Sequence, residues 1–157
     1  MATYDDLAQW ALALLRDTVG VTALVVAGAS GVVESGALSA EDLQDAQVAR
    51  RESGESGDVL AILVMDTGET GAVSGKVASC SVFVYDRGGY SNIRAAREAV
   101  IIALINQPVS LARDGYIVQT QYVARSGHIK FQQFNLDCER VDFRGAVHHD
   151  ESDDLYA

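Results

Sequence analysis

The sequence predicts an α+β domain, a mainly antiparallel sheet of about four strands packed with an N-terminal helix and a second helix between hairpins. Three observations predict it. Apolar residues recur at helical spacing near the N-terminus and again after Ser91. A continuous apolar run, Val59–Met65, precedes a Gly/Ser/Thr-rich tip and a second apolar stretch. Through Gly115–Arg125, side chains alternate between two faces. With 157 residues, 48% hydrophobic and 22% charged, the chain has room for one core, which should bury roughly 70% of the unfolded surface without metals or disulfides. Residues 1–147 read as that single domain and 148–157 as an acidic, flexible tail.

Each element has its own signal. Thr3 with Asp6 resembles a capping box, and Leu7, Trp10, Ala11, Leu14 and Leu15 follow at helical spacing, so residues 4–18 should form an amphipathic helix ended by Gly20. Val21–Val26 is either a strand or the buried approach to one. From Glu34 to Asp58 the chain turns polar: Ser39 with Asp42 would cap a short, weakly packed helix through Arg50, and 51–58 has the glycine content of a surface loop. The unbroken apolar character of Val59–Met65 implies a strand covered on both faces. Lys76–Tyr85 returns beside it to make a long hairpin whose tip is Thr67–Gly75.

Asp86–Tyr90 then turns, and Ser91 caps a helix carrying Ile93, Ala96, Val100, Ile101 and Leu104, closed by Asn106 and Pro108. Gly115–Arg125 reads as one strand with Ser126-Gly127 as its turn. The returning strand sets Phe134, Leu136 and Cys138 on one side, whereas Val141 and Phe143 fall out of phase. A bulge near Glu139 and Arg140 would restore the inward direction. No internal repeat is visible.

Charge excludes some functions. The formal net charge of −10 argues against a protein that grips nucleic acid phosphates or an anionic membrane. The acidic opening Met1–Asp6 is unlike a basic secretory leader, and the run Val21–Val33 is too short and interrupted to span a bilayer. The distribution is uneven: residues 1–75 hold twelve acids and three bases, and residues 76–147 six acids and nine bases. Four further acids follow in 148–157. Opposite-signed portions suit head-to-tail binding between copies, and solvated faces are the plainer alternative.

The candidate chemistries are incomplete. Gly71-Ala72-Val73-Ser74-Gly75-Lys76 is one residue short of a phosphate-binding loop, has Val77 where Ser or Thr is needed, and leads into a strand. His148-His149-Asp150-Glu151 carries metal-ligand types but lies in the tail, and His128 beside the Ser126-Gly127 turn has no nucleophile in a recognisable elbow. Cys80 and Cys138 read as buried thiols. No catalytic, metal or cofactor site is expected. Ten arginines against two lysines favour planar, bidentate contacts at protein interfaces. Arg87, Tyr90, Arg94 and Arg97, on the turn and the outer part of the second helix, form the preferred interface group, with an ordinary helix surface as the alternative.

The segment Cys80-Ser81-Val82-Phe83-Val84-Tyr85-Asp86-Arg87-Gly88-Gly89-Tyr90-Ser91-Asn92-Ile93, continuing through Val100, resembles the tail-terminator (tail-completion) proteins of long-tailed bacteriophages and related particles. The order of elements from Ala2 to Ala146 matches, with recognisable detail over about residues 77–144. The resemblance implies a non-enzymatic structural protein of the virion, assembled in the host cytoplasm as a homo-oligomeric ring, usually of six subunits. It would sit at the head-proximal end of the tail tube, end tube polymerisation and present a surface to neck or connector proteins. DNA would pass an acidic channel without specific binding, and no membrane is involved. Thr67, Gly68, Glu69, Thr70, Gly71 and Lys76 would form an arm that orders against a neighbour or the tube. A head-to-tail connector, or a small cytoplasmic enzyme or ligand-binding domain working through the Tyr116–Phe143 sheet, are the alternatives.

Overall fold

The computed structural model describes residues 2–34, 39, 41, 44–45, 59–70, 76–87, 89–112, 115–131 and 136–148. Expectations for the helix through Arg50, the 51–58 loop, Gly71 and the tail from 149 onward lie outside them. In chain order the elements are β1 (Thr3–Tyr4), α1 (Leu7–Asp17), α2 (Val19–Thr22), a 3-10 turn (Gly28–Gly31), β2 (Val32–Glu34), β3 (Ala61–Thr70) and β4 (Val77–Asp86). Then come α3 (Ser91–Leu104), β5 (Val109–Leu111), β6 (Gly115–Ile117), β7 (Gln121–Arg125), β8 (Ile129–Phe131) and β9 (Leu136–His148).

The expected sheet of about four strands is corrected: the described residues form nine, in a curled half-barrel, with strand outweighing helix. The path is β1-β5-β6-β9-β4-β3-β2, with β7 and β8 also on β9. Strand β9 explains the difference. One of its edges pairs continuously with β4, from Asp86↔Asp137 to Val77↔Ala146. Its other edge is shared by three short strands in succession: β8 against Leu136–Cys138, β7 against Val141–Arg144 and β6 against Val147–His148.

Gly115–Arg125, expected as one strand, is split because Thr120 is claimed by the end of α3. The buried Thr120 hydroxyl donates to the Leu104 carbonyl and accepts from the Gln107 N–H at 2.9 Å. Its backbone bonds Asn106 and Gln107 instead of a strand. Asn106 has φ 59°, so the helix stops in a left-handed residue that leaves carbonyls for Thr120 to satisfy.

The expected bulge near Glu139 and Arg140 is absent: the β4–β9 register runs through these residues unbroken. Both phases of β9 are apolar because each packs on a different side. Val141, Phe143 and Val147 join Ile62, Val64, Cys80, Val82 and Val84 beneath α1 and α3. Leu136 and Cys138 join Leu60, Ala61, Leu63 and Tyr85 in a second cluster on the opposite face. Leu60 to Val64 are all buried, as the unbroken apolar run implies. Gly145 accommodates the curl, since a Cβ there would meet the Ile117 side chain at 2.5 Å.

Other boundaries move for local reasons. Helix α1 is capped by Asp6, whose carboxylate accepts the Gln9 N–H at 2.7 Å, and not by Thr3, which pairs with Ser110 in β1–β5. Val21–Val26 resolves into α2 and a parallel bridge, Val25↔Val59. Helix α3 has Tyr90 in the cap position with no side-chain cap bond, so Ser91 does not cap it. No helix of the described residues is long and apolar enough to cross a membrane.

Candidate functional site

The first half of α3 lies over the end of β4 and β9 that carries acids on its inner face. Asp137 and Glu139 are in register phase with Val141 and Phe143, and Asp86 pairs across from Asp137. All three carboxylates are buried. Asn92 Nδ2 donates to Asp86 at 3.3 Å, and the Gly89 N–H donates to Asp137 at 2.8 Å. Lys130 Nζ lies 3.3 Å from the other Asp137 oxygen. Burial pushes the Asp137 carboxyl upward, but the Gly89 N–H and Lys130 outweigh it and hold the group below the usual carboxylate range.

Arg97, expected on the outer part of the helix, is instead buried. Its Nη1 bonds both oxygens of Glu139, at 2.9 and 3.1 Å, while Nη2 and Nε reach the exposed Glu98 at 2.9 and 3.2 Å. Helical spacing brings Arg94 to the same edge, where it stays exposed. From the facing β7–β8 connection come Arg125, Ser126, Gly127 and His128. The connection is pinned by Ser126, whose N–H donates to the Arg140 carbonyl and whose hydroxyl accepts the Arg140 N–H, both at 2.9 Å.

Together Arg94, Arg97, Arg125, His128 and Glu139 line an open cleft of about 640 Å³. Tyr90 supports the lining residue His128 from outside the cleft: its ring stacks on His128 with centroids 3.6 Å apart and 6° between planes, and its hydroxyl donates to the Ile129 carbonyl at 3.1 Å. Burial and the nearby Asp137 raise the Tyr90 hydroxyl pKa. His128 Nε2 lies 3.9 Å from Glu139. Arg94 and Arg125 have no ion-pair partner among the described residues, so the cleft presents two unneutralised guanidiniums above a paired one. This arrangement suits bidentate binding of a carboxylate.

From the interface group the structure brings Arg94 and Arg97 into the cleft lining, sets Tyr90 behind His128, and leaves Arg87, half-buried after β4, outside the lining. Arg125, Asp137 and Glu139 are the residues that sequence reasoning missed, and His128, read there only as a residue beside the turn, joins them. Their signal was present, since Asp137 and Glu139 share the phase of Val141 and Phe143 once the bulge is dropped.

The arm residues lie at the other end of the sheet. Thr67–Thr70, expected as the start of a loose tip, continue β3, with Thr67 bulged out and Gly68 at φ 88° resuming the ladder opposite Ser79. Thr67 Oγ1 donates to Ser79 Oγ at 2.9 Å, Glu69 and Thr70 pair with Ala78 and Val77, and the Lys76 carbonyl accepts the Val147 N–H.

Cys80 and Cys138 are free, buried and on opposite faces of the sheet. Burial, helped by Asp66 at Cys80 and Glu139 at Cys138, pushes both thiols up to about 12, well away from nucleophilic use. Among the described residues no group of three or more His, Cys, Asp or Glu could hold a metal ion.

No family model and no curated protein matches this chain. Among solved structures, it is similar to a chain in the virion of a native gene transfer agent particle, with a TM-score of 0.61 and 19% identity. The match covers 90% of this chain and 94% of that one. The likeness is one of fold, over nearly the full length of both.

Proposed function

We propose that this chain is a structural, non-enzymatic virion protein of phage type that forms a ring at the head-proximal end of a tail tube, ends tube polymerisation and provides the surface joined by the neck. The observation that carries this reading is the end-to-end fold likeness to a chain of a gene transfer agent virion. The resemblance of Cys80–Val100 to tail terminators supports the finer assignment and a ring of six subunits. A closed ring needs two different complementary patches per subunit. Opposite-signed portions along the sequence allow such a pair, with the arginine cleft between α3 and β7 as its basic member. The β3–β4 hairpin, with Thr67–Thr70 and Lys76 at the far end of its ladder, serves as the arm that meets a neighbour or the tube.

Native mass spectrometry and negative-stain imaging of the purified chain, alone and with tube protein, test the reading. Six-subunit rings, and tubes that stop growing when the chain is added, are the expected results. A chain that stays monomeric beside tube protein and leaves tube length unchanged would overturn it; rings that bind only head-side proteins would replace the terminator role with a connector role.

A further inference from the structure

The cleft between α3 and β7 has two exposed guanidiniums without an ion partner among the described residues, while the sequence beyond β9 carries four carboxylates in five positions, Asp150, Glu151, Asp153 and Asp154. We propose that this acidic segment of one copy docks in the Arg94–Arg125 cleft of a second copy. The inference rests on the ring reading and names the segment that links neighbours.

The direction of β9 favours a neighbour's cleft over the chain's own. Glu139 marks the floor of the cleft and His148 is the last residue of β9, nine positions further along an extended strand. That separation is about 30 Å at roughly 3.3 Å per residue. From His148 to Asp154 is six residues, which span at most about 20 Å even when fully extended. A tail folding back along its own β9 would also cross the edge that β6 and β7 occupy. β9 thus carries the chain away from its own cleft, and the acids could meet their own Arg125, which pairs with Val141, only by reversing direction at His148, whereas a neighbour's cleft is limited only by how the copies pack. Charge complementarity then fixes direction, since tail meets tail, and cleft meets cleft, with like charges. The His128 ring, backed by Tyr90, supplies a flat wall of the cleft for the docked segment.

Two full-length variants test this. One reverses the cleft, Arg94→Glu with Arg125→Glu, both at exposed positions; the other reverses the tail, Asp150→Lys, Glu151→Lys, Asp153→Lys and Asp154→Lys. Each alone should lose the self-association of the parent while keeping its circular dichroism spectrum. Mixed, the intact tail of the first should enter the intact cleft of the second, and the lysine tail of the second the glutamate cleft of the first, giving assemblies in which the two variants alternate. Placing all six changes in one chain should restore larger assemblies. A tail-reversed variant that assembles like the parent, or a mixture of folded variants that stays monomeric, would overturn the docking.

A titration with a synthetic peptide of residues 148–157 separates the failure of this contact from failure of the ring. Binding to the parent should weaken at least tenfold in the cleft-reversed variant. It should also weaken on raising salt from about 0.1 M to about 1 M, where the Debye length falls from ~10 to ~3 Å. Peptide binding without rings retains the contact and removes the ring; rings without peptide binding retain the ring and remove the contact.

Discussion

Both halves of α3 pack on the main apolar cluster, but only the first also covers buried acids. Under its first turns lie Asp86, Asp137 and Glu139, each given a specific donor by Asn92, Gly89 or Arg97. Under its last turns Val100 and Leu104 are fully buried in the main apolar cluster, and Thr120 satisfies the carbonyl end. The positive end of the helix dipole favours acids beneath the first turns, and a partner for every buried charge keeps them from unfolding the sheet. Ile93 and Ala96 of the first half join the same apolar cluster, so packing runs along the whole helix, and the charged groups beneath its first turns add an edge that water and a partner can reach. One helix thus both holds the fold and presents a surface.

Removing one side of the buried pair should have the largest effect. Glu139→Ala strands the Arg97 guanidinium, and loss of one partner of a buried pair costs about 3–5 kcal/mol. The low end is expected because Arg97 keeps Glu98. Denaturant unfolding measures it, and the apolar double change Arg97→Met with Glu139→Leu should recover most of the loss. If the double variant were as unstable as the single, the first half would owe its stability to something other than this pair.

In the second half, Leu104→Ala should destabilise by about 2–5 kcal/mol through lost burial and a cavity. Unlike the Glu139 change, it should leave the cleft's peptide and partner contacts unaltered in the fraction still folded. Thr120→Val keeps the volume but removes the hydroxyl, leaving the Leu104 carbonyl and Gln107 N–H without it, at about 1–3 kcal/mol. Hydrogen exchange should locate the loosening at the C-terminal end of α3; uniform loosening would mean that the clamp is not local.

The smallest expected effect is on pH dependence. Asp137 has a folded pKa below its unfolded one, so its stabilisation is complete above the unfolded value and fades as pH falls through the folded value. Asp137→Asn should therefore lower stability at neutral pH and flatten the acid limb of a stability–pH curve. An unchanged acid limb would show that Gly89 and Lys130 do not hold this carboxylate.

Much of the scaffold was legible in local pattern. The periods of α1 and α3, the unbroken run of β3, the β3–β4 hairpin and the αL stop at Asn106 follow from residues near one another in the chain. The cleft was half legible: Arg94 and Arg97 share one helix start, whereas Arg125 and His128 reach them from another element. Reading Leu136 and Cys138 as facing the same core as Val141 and Phe143 required a bulge, and that step hid the inward phase of Asp137 and Glu139.

The sequence by itself determined where helices and long strands form, because those depend on spacing within a few residues, and it determined the division of charge along the chain. Tertiary structure alone decided that β9 would carry four neighbours, that Thr120 would leave the sheet for a helix end, and that Arg97 would be buried while Arg94 is not. These outcomes turn on which partners compete for one hydrogen-bonding edge and which carboxylate meets which guanidinium across 42 positions of chain. Such contacts exist only after distant segments are packed.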